Sequence, residues 1–215
     1  MYEKELTNDL IKELQSKTSA LLGIQALKEL GNAKLNDGLN LLNDYLKESV
    51  KRDVEQVRLE LAVEYAGLFL SVWGKPAHPS ESAYASGGKL IMQKERDEVL
   101  AMYRAAKVEK VKEFTEPEDH VAVELHFLSH LAGETAKSAA DKDMQRTIEL
   151  IQTQRSFLKQ HLGKWMGALA KDVVKEGRAP FYKGISLIAE GFIEEDVKVL
   201  DDISSEMRPQ TPSTS

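Results

Sequence analysis

The sequence predicts an all-α fold, a single helical bundle. Apolar residues recur at three- and four-residue spacing along nearly the whole of the 215-residue chain, which is the period of a helix with one buried face. No period-two run flanked by turn residues is long enough to form a sheet. Hydrophobic residues make up 42% and charged residues 30%, the balance of an ordinary globular chain. That length suits one domain and can bury a core of its own.

Leu6, Leu10, Ile11 and Leu14 define a first amphipathic segment, and Leu39, Leu42, Leu46 and Val50 a second. A third covers residues 54–69 through Val57, Leu61, Tyr65 and Leu68. The pattern then predicts helices over residues 97–106, 120–132, 142–162, 164–175 and 180–200. Breaks separate them. Residues 71–88 carry Gly74, Pro76, Pro79, Gly87 and Gly88, the composition of a loop, and a loop of that length in a compact domain is often functional. A second break falls at residues 111–117, and a third is set by Gly177 and Pro180. These readings give a helical domain over residues 1–203. Residues 204–215, rich in Ser, Thr and Pro, form a tail with too little apolar surface to offset its ordering entropy. No internal repeat is present.

Composition excludes several functions. The chain has no cysteine, so disulfides, thiol nucleophiles and cysteine-ligated metals are ruled out. A net charge of −6 disfavours nucleic acid, whose binding rests on cationic contacts to phosphate, and favours a basic partner. No apolar run approaches the ~20 residues that span a bilayer. The mixed charges of Met1 to Leu14 are unlike a secretory leader, so a cytoplasmic location is expected. No P-loop, dinucleotide or nucleophile-elbow pattern occurs. Ser86-Gly87-Gly88-Lys89 alone is a weak phosphate signal.

Four constellations remain. Glu116-Pro117-Glu118-Asp119-His120 stands before an apolar-periodic helix marked by Val121, Leu125 and Leu128. It reads either as a helix start, with Thr115 and Glu118 as a capping box, or as carboxylates beside an imidazole able to accept bidentate hydrogen bonds from arginine. Tyr65-Ala66-Gly67-Leu68-Phe69, with Trp73 and Tyr84 beyond it, reads either as core or as the wall of an apolar groove lipped by the Pro-rich loop. Phe157, His161 and Trp165 follow at four-residue steps, which favours one helix packed on the bundle. His126 with His130, and His120 with Glu124, are four apart, a spacing that can serve a metal. The two pairs face about 240° apart around a helix and no HExxH is present, so no metal site is expected.

The order of these pieces resembles the TorD/DmsD family of redox-enzyme maturation chaperones. Leu59 to Phe69 is similar to the family's helix ending in aromatic-x-x-Leu-Phe, and Pro76 to Tyr84 to its proline-rich segment leading to Ser-x-Tyr. Glu116 to His120 matches its Glu-Pro-x-Asp-His signature, and Phe157 to Ala170 its Phe-Leu-x-x-His-Leu-x-x-Trp helix. The resemblance extends from about Leu59 to Ile203. It implies a cytoplasmic chaperone, without catalytic residues, cofactor or metal, that binds the twin-arginine signal peptide of a molybdopterin oxidoreductase. The apo-form of that enzyme's catalytic subunit would be its partner. The implied peptide-binding residues are Glu116, Pro117, Asp119 and His120 with Tyr65, Trp73, Pro79, Ser82 and Tyr84. A monomer or a helix-swapped dimer is expected, with neither nucleic acid nor stable membrane insertion. Two other readings stay open on the residues alone: a metal-dependent helical hydrolase using the acids and histidines between Glu116 and His130, and a generic helical interaction module.

Overall fold

The computed structural model describes residues 5–16, 25–70, 77–85, 90–112 and 114–206. Within them lie ten α-helices and no β-strand, as the apolar period predicts. They are α1 Asn8–Ser16, α2 Gln25–Glu29, α3 Ala33–Ser49, α4 Val54–Tyr65, α5 Ser82–Ala85, α6 Lys94–Ala105, α7 Val121–Ala140, α8 Met144–Gln160, α9 Leu162–Glu176 and α10 Pro180–Glu206. A π-helical turn, Ala66–Leu70, continues α4.

Local chemistry sets the ends. Asn32 caps α3 by accepting from the Leu35 N–H, and Asp53 caps α4 by accepting from Glu55 and Gln56. Asp143 does the same for α8, after a tight turn in which Lys142 adopts a positive φ. The start of α10 is capped from another helix: the Glu64 carboxylate on α4 accepts from the N–H groups of Arg178 and Ala179 at 2.7 and 2.8 Å. A carboxylate at a helix N-terminus also complements the macrodipole.

Helix α10 is the centre of the bundle. It packs along α3 and also touches α8 and α9, while α7 lies against α8. Three glycines bring α3 and α10 together backbone to backbone. A Cβ on Gly38 would stand 2.7 Å from the Gly184 carbonyl and from the Ile188 nitrogen, and one on Gly191 only 2.6 Å from the Leu35 nitrogen. Two aromatic groups fill the core. Tyr65, Phe69, Phe181 and Tyr182 join α4 to α10, and Tyr103, Phe127 and Phe157 join α6, α7 and α8.

Several boundaries differ from those the sequence predicts. Helix α7 passes through Gly133 to Ala140, since that glycine is on an open face and interrupts nothing. Helix α10 runs to Glu206, three residues into the segment read as a tail; the Ser204 and Ser205 hydroxyls donate to the Leu200 and Asp202 carbonyls there. Residues 207–215 lie outside the described residues. Phe157, His161 and Trp165 are not on one helix. The chain breaks at His161, and Gly163 permits the break because a Cβ at that position would stand 2.6 Å from the Leu158 carbonyl oxygen.

Candidate functional site

The loop between the π turn and α6 is fastened to the start of α7. The Ala77 N–H donates to the Leu68 carbonyl in the π turn. Ser80 and His120 then pair as an isolated antiparallel bridge. Around that bridge the Val121 N–H donates to the Pro79 carbonyl and the Glu81 N–H to the Asp119 carbonyl, both at 2.9 Å. Asp119 closes the clasp. Its side chain is fully buried, and Oδ2 accepts from the Ser82 N–H at 2.9 Å and from the Ser82 hydroxyl at 2.5 Å. Hydrogen bonds to a charged group contribute about 1.5–3 kcal/mol each, so this one carboxylate fixes the first residue of α5. Its other oxygen, Oδ1, is buried with no hydrogen-bond partner among the described residues.

His120, also buried, is the N-cap of α7, with Nδ1 accepting from the Ala122 N–H at 3.1 Å. The capping box expected from Thr115 and Glu118 does not form, because the helix starts at Val121 and an imidazole takes the capping place. Glu118 is instead tied to Arg96 at 2.5 Å and to Lys110 at 3.5 Å. Burial raises its pKa, but the Arg96 hydrogen bond and Lys110 outweigh that and the net shift is downward. Glu116 is different: it is half-buried, and its carboxylate has no cationic partner among the described residues.

Behind the clasp lies a buried network that helical spacing did not reveal. The Glu81 carboxylate meets His161 Nδ1 at 2.9 Å, at the break between α8 and α9. One helical turn further, the Trp165 indole N–H donates to Glu124 Oε2 at 3.1 Å. Glu124 has no exposed surface. Burial, then the charge of Glu81, hold its pKa well above the ordinary carboxyl range; the Trp165 hydrogen bond opposes them and Asp119 reinforces them. The outer face of Trp165 stacks on Tyr84, with centroids 5.7 Å apart and planes at 25°. The Tyr84 hydroxyl donates to Asp172 on α9 at 3.2 Å. One signal of the network was present in the sequence: Glu124 stands on the same helical face as Val121 and Leu128, where a charge is out of place.

Of the sequence-predicted residues, Pro79, Ser82, Asp119 and His120 are brought together in the clasp, with Glu116, Pro117 and Tyr84 half-buried around it. Tyr65 is elsewhere, packed in the core against Phe69 and Tyr182 rather than along an open groove. Trp73 lies outside the described residues, as does Ser86-Gly87-Gly88-Lys89. Two surfaces are open. Leu59 and Val63, one turn apart on α4, are exposed, as is Leu70 at the end of the π turn. A separate groove of about 380 Å³ has a floor that includes Tyr103, Phe114 and Phe127, with His126 and His130 beside it. Those histidines do not combine with a further ligand: among the described residues no group of three or more His, Cys, Asp or Glu is placed to hold a metal ion. Among the same residues, no helix is long and apolar enough to cross a membrane.

A helical bundle in which buried Asp119 and His120 hold a loop in place, and in which Leu59, Val63 and Leu70 stay exposed, suits the class of binding proteins. The family model for the nitrate reductase delta subunit matches residues 31–171. The chaperone protein TorD of Vibrio cholerae serotype O1 (strain M66-2) is 32% identical over 170 residues, 78% of this chain and 76% of that one. The TorD chaperone of Photobacterium profundum is 30% identical over 68% of this chain and 66% of its own. That of Shewanella piezotolerans is 25% identical over 95% and 89%. The chain belongs to the nitrate reductase delta subunit family that includes the TorD chaperones. It is a chaperone rather than an enzyme, and its role is in the maturation of molybdenum-containing redox enzymes.

Proposed function

We propose that this chain binds the twin-arginine signal peptide of a molybdenum-containing oxidoreductase in the cytoplasm and holds the precursor while its cofactor is loaded. The observation that carries the reading is the buried clasp between Ser80 and His120, which joins two motifs forty residues apart into one unit. In this reading the buried groups, Pro79, Ser82, Asp119 and His120, frame the site. Glu116 and Pro117 meet the peptide's polar region, and Tyr84 meets the adjoining apolar part. The exposed Leu59, Val63 and Leu70 offer its apolar core a seat. A Glu116 carboxylate with no cationic partner among the described residues and a net charge of −6 suit a cationic ligand.

Calorimetric titration of a synthetic twin-arginine peptide at two salt concentrations tests the proposal. Glu116→Gln is expected to weaken binding by roughly two- to fivefold, the value of a part-exposed ion pair, and to reduce the salt dependence. Tyr84→Ala is expected to weaken it by roughly tenfold without altering the salt dependence, because it removes contact area rather than charge. A peptide with both arginines replaced by alanine should bind far less well. If it binds as tightly as the parent, this function is wrong.

A further inference from the structure

We propose that Glu124 and Trp165 are positioning residues for the peptide surface, acting in series on Tyr84. The inference rests on the proposed function and names the device that sets the geometry of that site. Three observations carry it. Trp165 is buried and its one polar atom, the indole N–H, is spent on Glu124. The indole ring then presents a face on which Tyr84 lies nearly parallel, so the plane of Trp165 fixes the plane of Tyr84. Glu124 in turn projects from α7 only one turn beyond His120 of the clasp, so the two ends of the surface share one rigid helix.

The arrangement is costly, which argues that it is more than filler. A fully buried acid beside the Glu81 carboxylate and Asp119 is disfavoured when ionised, and an apolar residue on this face would pack without that conflict. The acid supplies an acceptor at the one place where an indole N–H needs it. Rotation of Trp165 would break its hydrogen bond to Glu124 and its stacking on Tyr84, while the Glu81–His161 contact separately ties the loop to the α8–α9 break.

The test is a double-mutant cycle read by peptide titration, with Trp165 fluorescence recorded in a Trp73→Phe background. Glu124→Ala should weaken peptide binding by roughly five- to tenfold and shift the Trp165 emission, and Glu124→Gln, which keeps the acceptor, should restore both. In a Tyr84→Ala background Glu124→Ala should cost nothing more, since the residue acts only through that ring. Should Glu124→Ala fail to fold, Trp165→Phe removes the same hydrogen bond and keeps a ring, and it should show the same lack of additivity with Tyr84→Ala. An effect that persists in full in the Tyr84→Ala background, or binding equal to the parent in both Glu124→Ala and Trp165→Phe, overturns the proposal. If the parent binds no twin-arginine peptide, the proposed function fails by itself. The positioning claim is then decided by fluorescence alone, and an emission unchanged in Glu124→Ala overturns it.

Discussion

Replacing Gly38 by alanine is expected to destabilise the bundle by at least about 2 kcal/mol, the range of an overpacked core, although alanine favours a helix over glycine by about 1 kcal/mol. The added Cβ would stand 2.7 Å from both a carbonyl oxygen and an amide nitrogen of α10, and backbone atoms cannot rotate out of the way. Helices α3 and α10 would have to move apart along their whole contact. Gly133→Ala supplies the matched control. Gly133 is also inside a helix, but a Cβ there meets nothing within 4 Å, so the change should stabilise by about 0.5–1 kcal/mol. Denaturant melts of the two variants should move in opposite directions. If both move upward, the α3–α10 contact is not close-packed.

Glu124→Gln is expected to change the pH dependence of stability more than any other single substitution in the network. In the unfolded chain Glu124 ionises near 4.5, whereas in the fold burial and the charge of Glu81 hold its pKa well above that. The stability tied to its proton is therefore fully present below pH 4.5. Above that the unfolded state gives up the proton first, and stability falls as pH rises until the folded pKa is passed. Glutamine ionises in neither state. The melting temperature of Glu124→Gln should match that of the parent near pH 4 and exceed it increasingly toward neutral pH. The groups facing Glu124 are Glu81, Asp119, Trp165 and, on α6, Tyr103, whose own pKa is raised by burial and then by Glu124. Glu124→Ala should instead fall below Glu124→Gln by about 1–3 kcal/mol at every pH, because the indole N–H loses its acceptor. Parallel pH profiles for parent and Glu124→Gln would show that the acid is ionised in the fold.

Most of the helices were legible because an apolar stripe facing a core repeats along the chain whatever the tertiary arrangement. Leu39, Leu42 and Leu46 are buried for the reason their spacing implies, whereas Val50, read on the same stripe, is the C-cap of α3 and is exposed. The break at His161 was only half legible. Gly163 marked the place, but the four-residue steps of Phe157, His161 and Trp165 argued for continuity, and only the carbonyl of Leu158 against Gly163 shows why the chain turns there. Glu116 to His120 stood out as a motif, yet nothing local indicates that Asp119 is turned inward. Its partner Ser82 is 37 residues away, and pairing across two loops leaves no period in a sequence. The same holds for Glu81 with His161, which are 80 residues apart.

The glycine contact between α3 and α10 also dictates when the molecule can assemble during synthesis. The apolar face of α3 is made early, but the surface that covers it, from Gly184 to Gly191, is made some 150 residues later. Until that stretch has left the ribosome, Leu35, Leu39, Leu42 and Leu46 have no α10 to pack against, and local helices alone are marginal in water. Nascent chains interrupted before α10 should therefore be protease-sensitive throughout, and protection of α3 should appear only once α10 is free to dock. A chaperone of redox-enzyme maturation thus closes its own core only once α10 has been made.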